Sequence, residues 1–215
     1  MLITHEREKL IEAIKYFAGH TKYCGLTKLF KLLFFLDFDH FRETGRPVTG
    51  LKYEAWPMGP VPAELYHEVK GVPKDDLRAH IRIEDPKEVE REFEIEGADS
   101  SLNSFGAEQP RMGSYKARVP AKFKTIKKFD PKLFSKRELL LMQQIAFMYK
   151  ELKADQISEV SHLKGKPWDR TIKSHGLKAP IDYMLALDEK REGAPSKEEI
   201  LSRIQERQEV LQALK

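Results

Sequence analysis

Residues 26–41 read LTKLFKLLFFLDFDHF, the most apolar stretch of the chain. On a helix, with about 100° between neighbours, Leu26, Leu29, Phe30, Leu32, Leu33, Phe34, Leu36, Phe38 and Phe41 cover most of the circumference. Lys28, Lys31, Asp39 and Arg42 share one narrow polar stripe. A helix apolar nearly all round has to be wrapped by other elements. The run is too short, and too interrupted by charge, to span a bilayer. It is therefore expected to be the central core helix, with no membrane as a partner.

Two residues break the pattern. Phe35 falls in the middle of the polar stripe, where it is either covered by a neighbouring strand or offered to a partner protein. Asp37 falls on the apolar side, between the directions of Leu33 and Phe41. A carboxylate there must find donors or have its pKa raised, so a structural hydrogen bond is expected of it.

A chain of 215 residues, 40% apolar and 33% charged, can bury a sizeable core as one large domain or two small ones. The start is charged from the fifth residue, unlike a signal peptide. The one cysteine, Cys24, allows no internal disulfide and suits a reducing cytoplasm. The net charge of +4 is too small to imply nucleic acid by itself.

Thr4 is placed to cap a first helix with Leu10, Ile11, Ile14, Phe17 and Ala18 inward, ending near Gly19 or Gly25. After the core helix, Gly45-Arg46-Pro47 makes a turn, and the alternation of Leu51, Tyr53 and Ala55 predicts a short strand. Residues 56–62, WPMGPVP, hold three prolines and a glycine, which neither a helix nor a sheet interior accepts. They are expected to form a rigid elbow. Pro62 suits the first position of a helix that buries Leu65 and Val69 and stops at Gly71.

The lysine- and leucine-rich core helix (Lys28, Leu29, Lys31, Leu32, Leu33), then Glu54-Ala55-Trp56, Gly59-Pro60-Val61 and Leu65-Tyr66, resemble the Panacea (SocA-like) antitoxin domain. Ser161-His162 and Pro167-Trp168 resemble a segment near the end of that domain. The resemblance covers residues 5–71 and 135–172. It implies an antitoxin, not an enzyme, that neutralises a cognate protein toxin by direct contact and can hand the bound toxin to a protease. Such contact needs exposed aromatics, and Phe35, Tyr53, Trp56, Tyr66 and Trp168 are the candidates. Asp37, Gly59, Pro60 and His162 are expected to serve structure, His162 as a hydrogen-bonded packing residue.

The middle of the chain changes character. Ile81 and Ile83; Val89, Phe93 and Ile95; and Tyr115, Ala117, Val119, Ala121 and Phe123 each alternate with charged or polar residues, as strands with one wet face do. Segment 84–99 holds eight acids against two bases, and segment 111–137 ten bases against one acid. Antiparallel pairing would neutralise the two. Between the strands lies a long Gly- and Ser-rich link, 97–114. Ser135 and Glu138 form a capping box before a helix with Leu139, Met142, Ala146, Met148 or Tyr149, and Leu152 inward. Asp155 is placed to cap the next, with Ile157, Val160 and Leu163 inward. This helix pair and the basic 111–137 segment supply the alternative reading, a nucleic-acid-binding regulator.

The expected fold is thus α+β and mainly helical. A buried central helix is wrapped by amphipathic helices, with a small antiparallel sheet from the middle of the chain. Residues 1–190 read as one domain with a β insertion at 79–125, and 196–215 as a C-terminal amphipathic helix. Ile200, Ile204, Leu211 and Leu214 give that helix a narrow stripe for docking on the body or on a partner. No phosphate-binding glycine loop, HExxH pair or nucleophile elbow is present in the sequence. His20 and Cys24 lie four apart without further ligands nearby, so neither metal nor cofactor is expected. A hydrolase built on His67, His162 and Asp37 has no spacing to support it.

Overall fold

The computed structural model describes residues 5–84, 87–94, 112–119, 122–188 and 195–213. The first half runs α1 (Glu6–His20), α2 (Leu26–Thr44), β1 (Tyr53–Trp56), β2 (Gly59–Pro62), α3 (Ala63–Lys70) and the single turn α4 (Asp75–Arg78). The strands β3 (Ile81–Glu84), β4 (Lys87–Glu94), β5 (Met112–Val119) and β6 (Lys122–Thr125) follow. A 3-10 turn (Pro131–Leu133) leads into α5 (Lys136–Met148), α6 (Ala154–Ser161) and α7 (Pro167–His175). A 3-10 stretch (Tyr183–Asp188) precedes α8 (Lys197–Ala213). The architecture is mainly helical with small antiparallel sheets, as the periodicities predict.

The apolar run forms α2, and α1, β2, α5, α6, the 183–188 stretch and α8 all pack on it. One cluster joins Leu29, Leu32, Leu33 and Leu36 to Ile14 and Phe17 of α1, Met142 and Ile145 of α5 and Ile157 of α6. A second joins Phe34, Phe38 and Phe41 to Tyr53, Ile181, Leu187 and Ile200. Each such side chain stabilises the fold by about 1.5–3 kcal/mol through removal from water. The helix stops at Gly45, whose φ of 70° lets its N–H return to the Phe41 carbonyl.

The polar stripe of α2 is not a wet face. Lys28 and Lys31 are both 0% exposed. Lys28 Nζ donates to the carbonyls of Lys22 (2.6 Å), Lys150 (3.0 Å) and Leu152 (2.6 Å), so all three of its protons are used. Two of those acceptors lie just past the C-terminus of α5, where carbonyls lack helical partners and attract positive charge.

The proline elbow needs correction as well, because residues 59–62 are a strand. β2 pairs antiparallel with β1, setting Ala55 opposite Pro60 and Tyr53 opposite Pro62. The Ala55 amide and carbonyl both turn the other way, to the Ala179 carbonyl and the Lys178 N–H, and the Tyr53 carbonyl accepts from Ile181. Pro60 and Pro62 therefore occupy positions where β1 asks for no N–H, and an edge strand tolerates them. Pro60 turns its carbonyl outward to accept from Lys31 Nζ at 3.1 Å.

Gly59 has φ +100°, and a Cβ there would lie 2.6 Å from Lys31 Cε and 2.7 Å from Ser161 Oγ. Gly59→Ala is expected to cost about 2–4 kcal/mol. Gly165→Ala is the control, with φ +83° but nothing within 4 Å. It should cost only the backbone strain, about 1–2 kcal/mol. Denaturant unfolding of both variants measures the difference, and equal losses would show that the close approach of β2 to α2 carries no weight.

The acidic and basic strands pair as expected, with Glu88 opposite Arg118 and Glu90 opposite Lys116 in β4–β5. The run read as one strand over 115–123 is instead two. β5 pairs with β4, and β6 pairs with β3, placing Glu84 opposite Lys122. Pro120 in the sequence lacks the amide hydrogen that would continue one ladder. Ile95, residues 97–111 of the link, Thr4 and Leu214 lie outside the described residues.

Helix α5 opens with the expected capping box, Ser135 Oγ accepting from the Glu138 N–H and the Glu138 carboxylate from the Ser135 N–H. Its inner face is Leu141, Met142, Ile145 and Ala146, with Tyr149 half-buried and Met148 exposed. Lys153, not Asp155, stands at the N-cap of α6, its amide donating to the Gln156 side chain. Helix α8 docks on the body through Ile200 and Ile204, and Arg203 donates to the Glu43 carbonyl.

Candidate functional site

Asp37 sits at the buried junction of α2 with the chain leading into β1. Its Oδ1 accepts from the Val48 (2.8 Å) and Thr49 (2.7 Å) amides. Its Oδ2 accepts from Thr49 Oγ1 (2.5 Å) and Tyr53 Oη (2.8 Å). Burial lifts the carboxyl to about 6, against the pull of these donors. Tyr183 closes the node by donating to the Leu51 carbonyl at 2.5 Å. Asp37, Thr49 and Tyr53 are buried and Tyr183 is half-buried, so the node fastens a loop to the core helix.

A second polar seam lies behind the β1–β2 hairpin. Lys31 faces Pro60 and Gly59 there, and burial lowers its amine to about 7. His162 stacks on Trp168 at 3.9 Å, and its Nε2 is buried without a hydrogen-bond partner among the described residues. Burial first, then the Lys31 charge, holds His162 below the ordinary imidazole range. Trp168 Nε1 donates to the Trp56 carbonyl at 2.9 Å, tying α7 to the hairpin. Lys31, Trp56, Gly59, Pro60, Ser161, His162 and Trp168, from both stretches that carry the Panacea resemblance, thus meet at one seam.

The surface feature with the right properties for contact lies further along the same stripe of α2, next to this seam. A half-open cavity of about 350 Å³ is walled by Phe34, Phe35 and Phe38 of α2, Met148 and Tyr149 of α5, and Leu163 after α6. Phe35 stacks on Tyr149 at 4.9 Å. The Asp39–Arg42 ion pair stands at one edge and Lys166 at another. Of the lining residues, Met148 is 54% exposed and Leu163 53%.

The five aromatics expected at a partner surface do not form one patch. Phe35 alone lines the cavity. Tyr53 is 1% exposed, enclosed by Phe34, Phe38 and Tyr183 and bonded to Asp37, so it belongs to the interior and not to a contact surface. Trp56, Tyr66 and Trp168 are half-buried around the hairpin, Trp56 meeting Tyr66 edge-on at 4.9 Å. Sequence reasoning missed Phe147, Met148 and Leu163 as surface residues. The signal was there, because Leu140 and Phe147 fall out of phase with the inner face of α5.

For the alternative reading, strand register sets Arg118, Lys116 and Lys122 opposite Glu88, Glu90 and Glu84. The outward residues of α6 include Asp155 and Glu159, which phosphates repel. His67 lies on α3, away from both Asp37 and His162 in the chain, and no contact joins the three.

The fold is a helical scaffold with Lys31 and Asp37 buried inside it and with the exposed Met148 and Leu163 on an aromatic-walled concavity. The chain belongs to the antitoxin SocA-like, Panacea domain family, whose model matches residues 29–169. The match takes in the lining of the cavity except Ala186, and both polar nodes except Tyr183. No curated protein and no solved structure matches the chain. No helix among the described residues is long and apolar enough to cross a membrane.

Proposed function

We propose that this protein is a cytoplasmic antitoxin that neutralises a cognate protein toxin by direct contact, gripping it at the cavity between α2, α5 and α6. The observation that carries the reading is the exposed pair Met148 and Leu163 lining an aromatic-walled concavity. Exposed apolar residues gathered at a pocket mark protein contact sites, and a pocket of this size accepts one large anchoring side chain. The function is binding without chemistry, because Lys31 and Asp37, whose pKa values are the most useful for catalysis, face no opening. A toxin held this way is also a toxin that can be passed to a protease.

The test is co-expression with the product of the neighbouring open reading frame. The native chain should restore growth, and a Met148→Glu, Leu163→Glu double variant should not. Both positions are more than half exposed, so unfolding of the variant should shift by no more than about 1 kcal/mol. A neighbouring product that is harmless alone, or full rescue by the double variant, overturns the proposal.

A further inference from the structure

A second concavity, of about 290 Å³, opens along the same two helices, bordered by Glu43 of α2 and by Lys136, Arg137, Leu140, Leu141 and Gln144 of α5. Phe35 stacks on Tyr149 at one end while Glu43 faces the first turns of α5 at the other, so α2 and α5 run antiparallel. Phe35, Asp39, Arg42 and Glu43 follow one row of α2, at the three- and four-residue spacing of a helix face. The two concavities share no lining residue and lie one after the other along this helix pair. From Met148 at one to Arg137 at the other the distance along α5 is about 16–17 Å, at 1.5 Å per helical residue.

The two ends differ in chemistry. One is aromatic and apolar. The other carries two bases, Lys136 and Arg137, against the one carboxylate of Glu43; both bases are exposed, and neither has an ion pair or hydrogen bond to another described residue. Both stand in the first turn of α5, whose N-terminus adds positive partial charge. The walls are two helices, with backbone groups already satisfied along their length. An extended segment would find no sheet edge to pair with, whereas a helix brings its own hydrogen bonds.

We infer that the two concavities act as one trough that takes an amphipathic helix of the toxin, with a large apolar side chain in the aromatic end and an Asp or Glu eleven residues away at Lys136 and Arg137. That spacing returns to the same helix face after about three turns and about 16–17 Å, the separation of Met148 and Arg137 along α5. Leu140 and Phe147, exposed on the ridge beside it, extend the apolar contact. Assigning the helix to a toxin rests on the antitoxin reading; the trough and its ligand chemistry do not.

The probe is a displayed library of alanine-rich helices, about 18 residues long and randomised along one face, selected on the full chain. Recovered sequences should carry an aromatic residue or leucine and, eleven positions along, Asp or Glu. Lys136→Glu with Arg137→Glu should weaken their binding at least about tenfold. Acids in a first helical turn suit the dipole, so the variant should keep its fold. No enrichment, enrichment without the acidic position, or undiminished binding to the variant overturns the inference. Selection as expected with no growth rescue in co-expression would leave the trough standing and remove the antitoxin reading. Rescue undiminished in the Lys136→Glu, Arg137→Glu variant would remove the trough from toxin recognition and leave that reading in place.

Discussion

Replacing Lys31 by methionine is expected to abolish a rise in stability that the native protein shows above about pH 7. Burial brings the folded amine down to about 7 from an ordinary value of 10.5. Between those values the unfolded chain carries a proton that the folded one lacks, so unfolding takes up a proton and stability grows with pH. The slope is up to about 1.4 kcal/mol per pH unit. Below about pH 7 the folded amine is charged too, and the dependence on this group levels off. Methionine fills a similar volume and cannot titrate. It leaves the Pro60 carbonyl without its donor, a constant loss of about 1–2 kcal/mol. The variant should match or exceed the native protein near pH 6 and fall behind it near pH 9. Denaturant unfolding across that range measures both curves. Parallel curves would mean that Lys31 stays charged in the fold, and the account of the hairpin seam would fail.

Asp37→Ala should be the most damaging single change on the other polar node. It strips acceptors from two buried amides and two buried hydroxyls at once. The expected loss is about 3–5 kcal/mol, or a fall in Tm of about 10–15 °C for a domain of this size. Asp37→Asn keeps the shape and one acceptor oxygen and should lose less. The native carboxyl has its pKa raised by burial, from 3.8 to about 6. A raised folded pKa gives a contribution that is full below pH 4 and disappears as pH climbs through 6. The stability gap between native protein and Asp37→Asn should therefore be widest near pH 4 and shrink toward pH 6. A gap that stays constant over that interval would show that the carboxylate remains ionised in the fold.

Much of this fold can be read from residue spacing, and the exceptions share one cause. The burial of α2 follows from its periodicity, which leaves a single narrow polar stripe. That Lys28 and Lys31 of this stripe enter the interior does not follow, because their acceptors are backbone carbonyls from distant turns. Side-chain patterns carry no record of free carbonyls. The prolines of β2 misled for a similar reason. Composition forbids a sheet interior, but only register shows that Pro60 and Pro62 face no acceptor that needs an N–H. The place of Phe35 at a cavity wall is legible because it lies out of phase with its helix. Tyr53 was not legible as an interior residue, since aromatic character alone says nothing about which side of a strand is covered. The exposure of Phe147 follows from the same phase argument, although sequence reasoning missed it, and the cavity depends on where α5 crosses α2, which spacing does not record.

The ammonium of Lys28 also governs how the molecule can come apart. It fastens the segment after α1 to the turn after α5, at Lys22, Lys150 and Leu152. Lifting that turn by itself would strand a cation in an apolar interior, with several kcal/mol lost. Partial opening at this corner is thereby suppressed, and α1, α2 and α5 are obliged to melt together as one cooperative unit. Amide hydrogens around Lys150 should consequently exchange with solvent as slowly as those of the core helix, although they lie at the end of a surface helix. The same corner should resist nicking by proteases for as long as the whole unit stays folded.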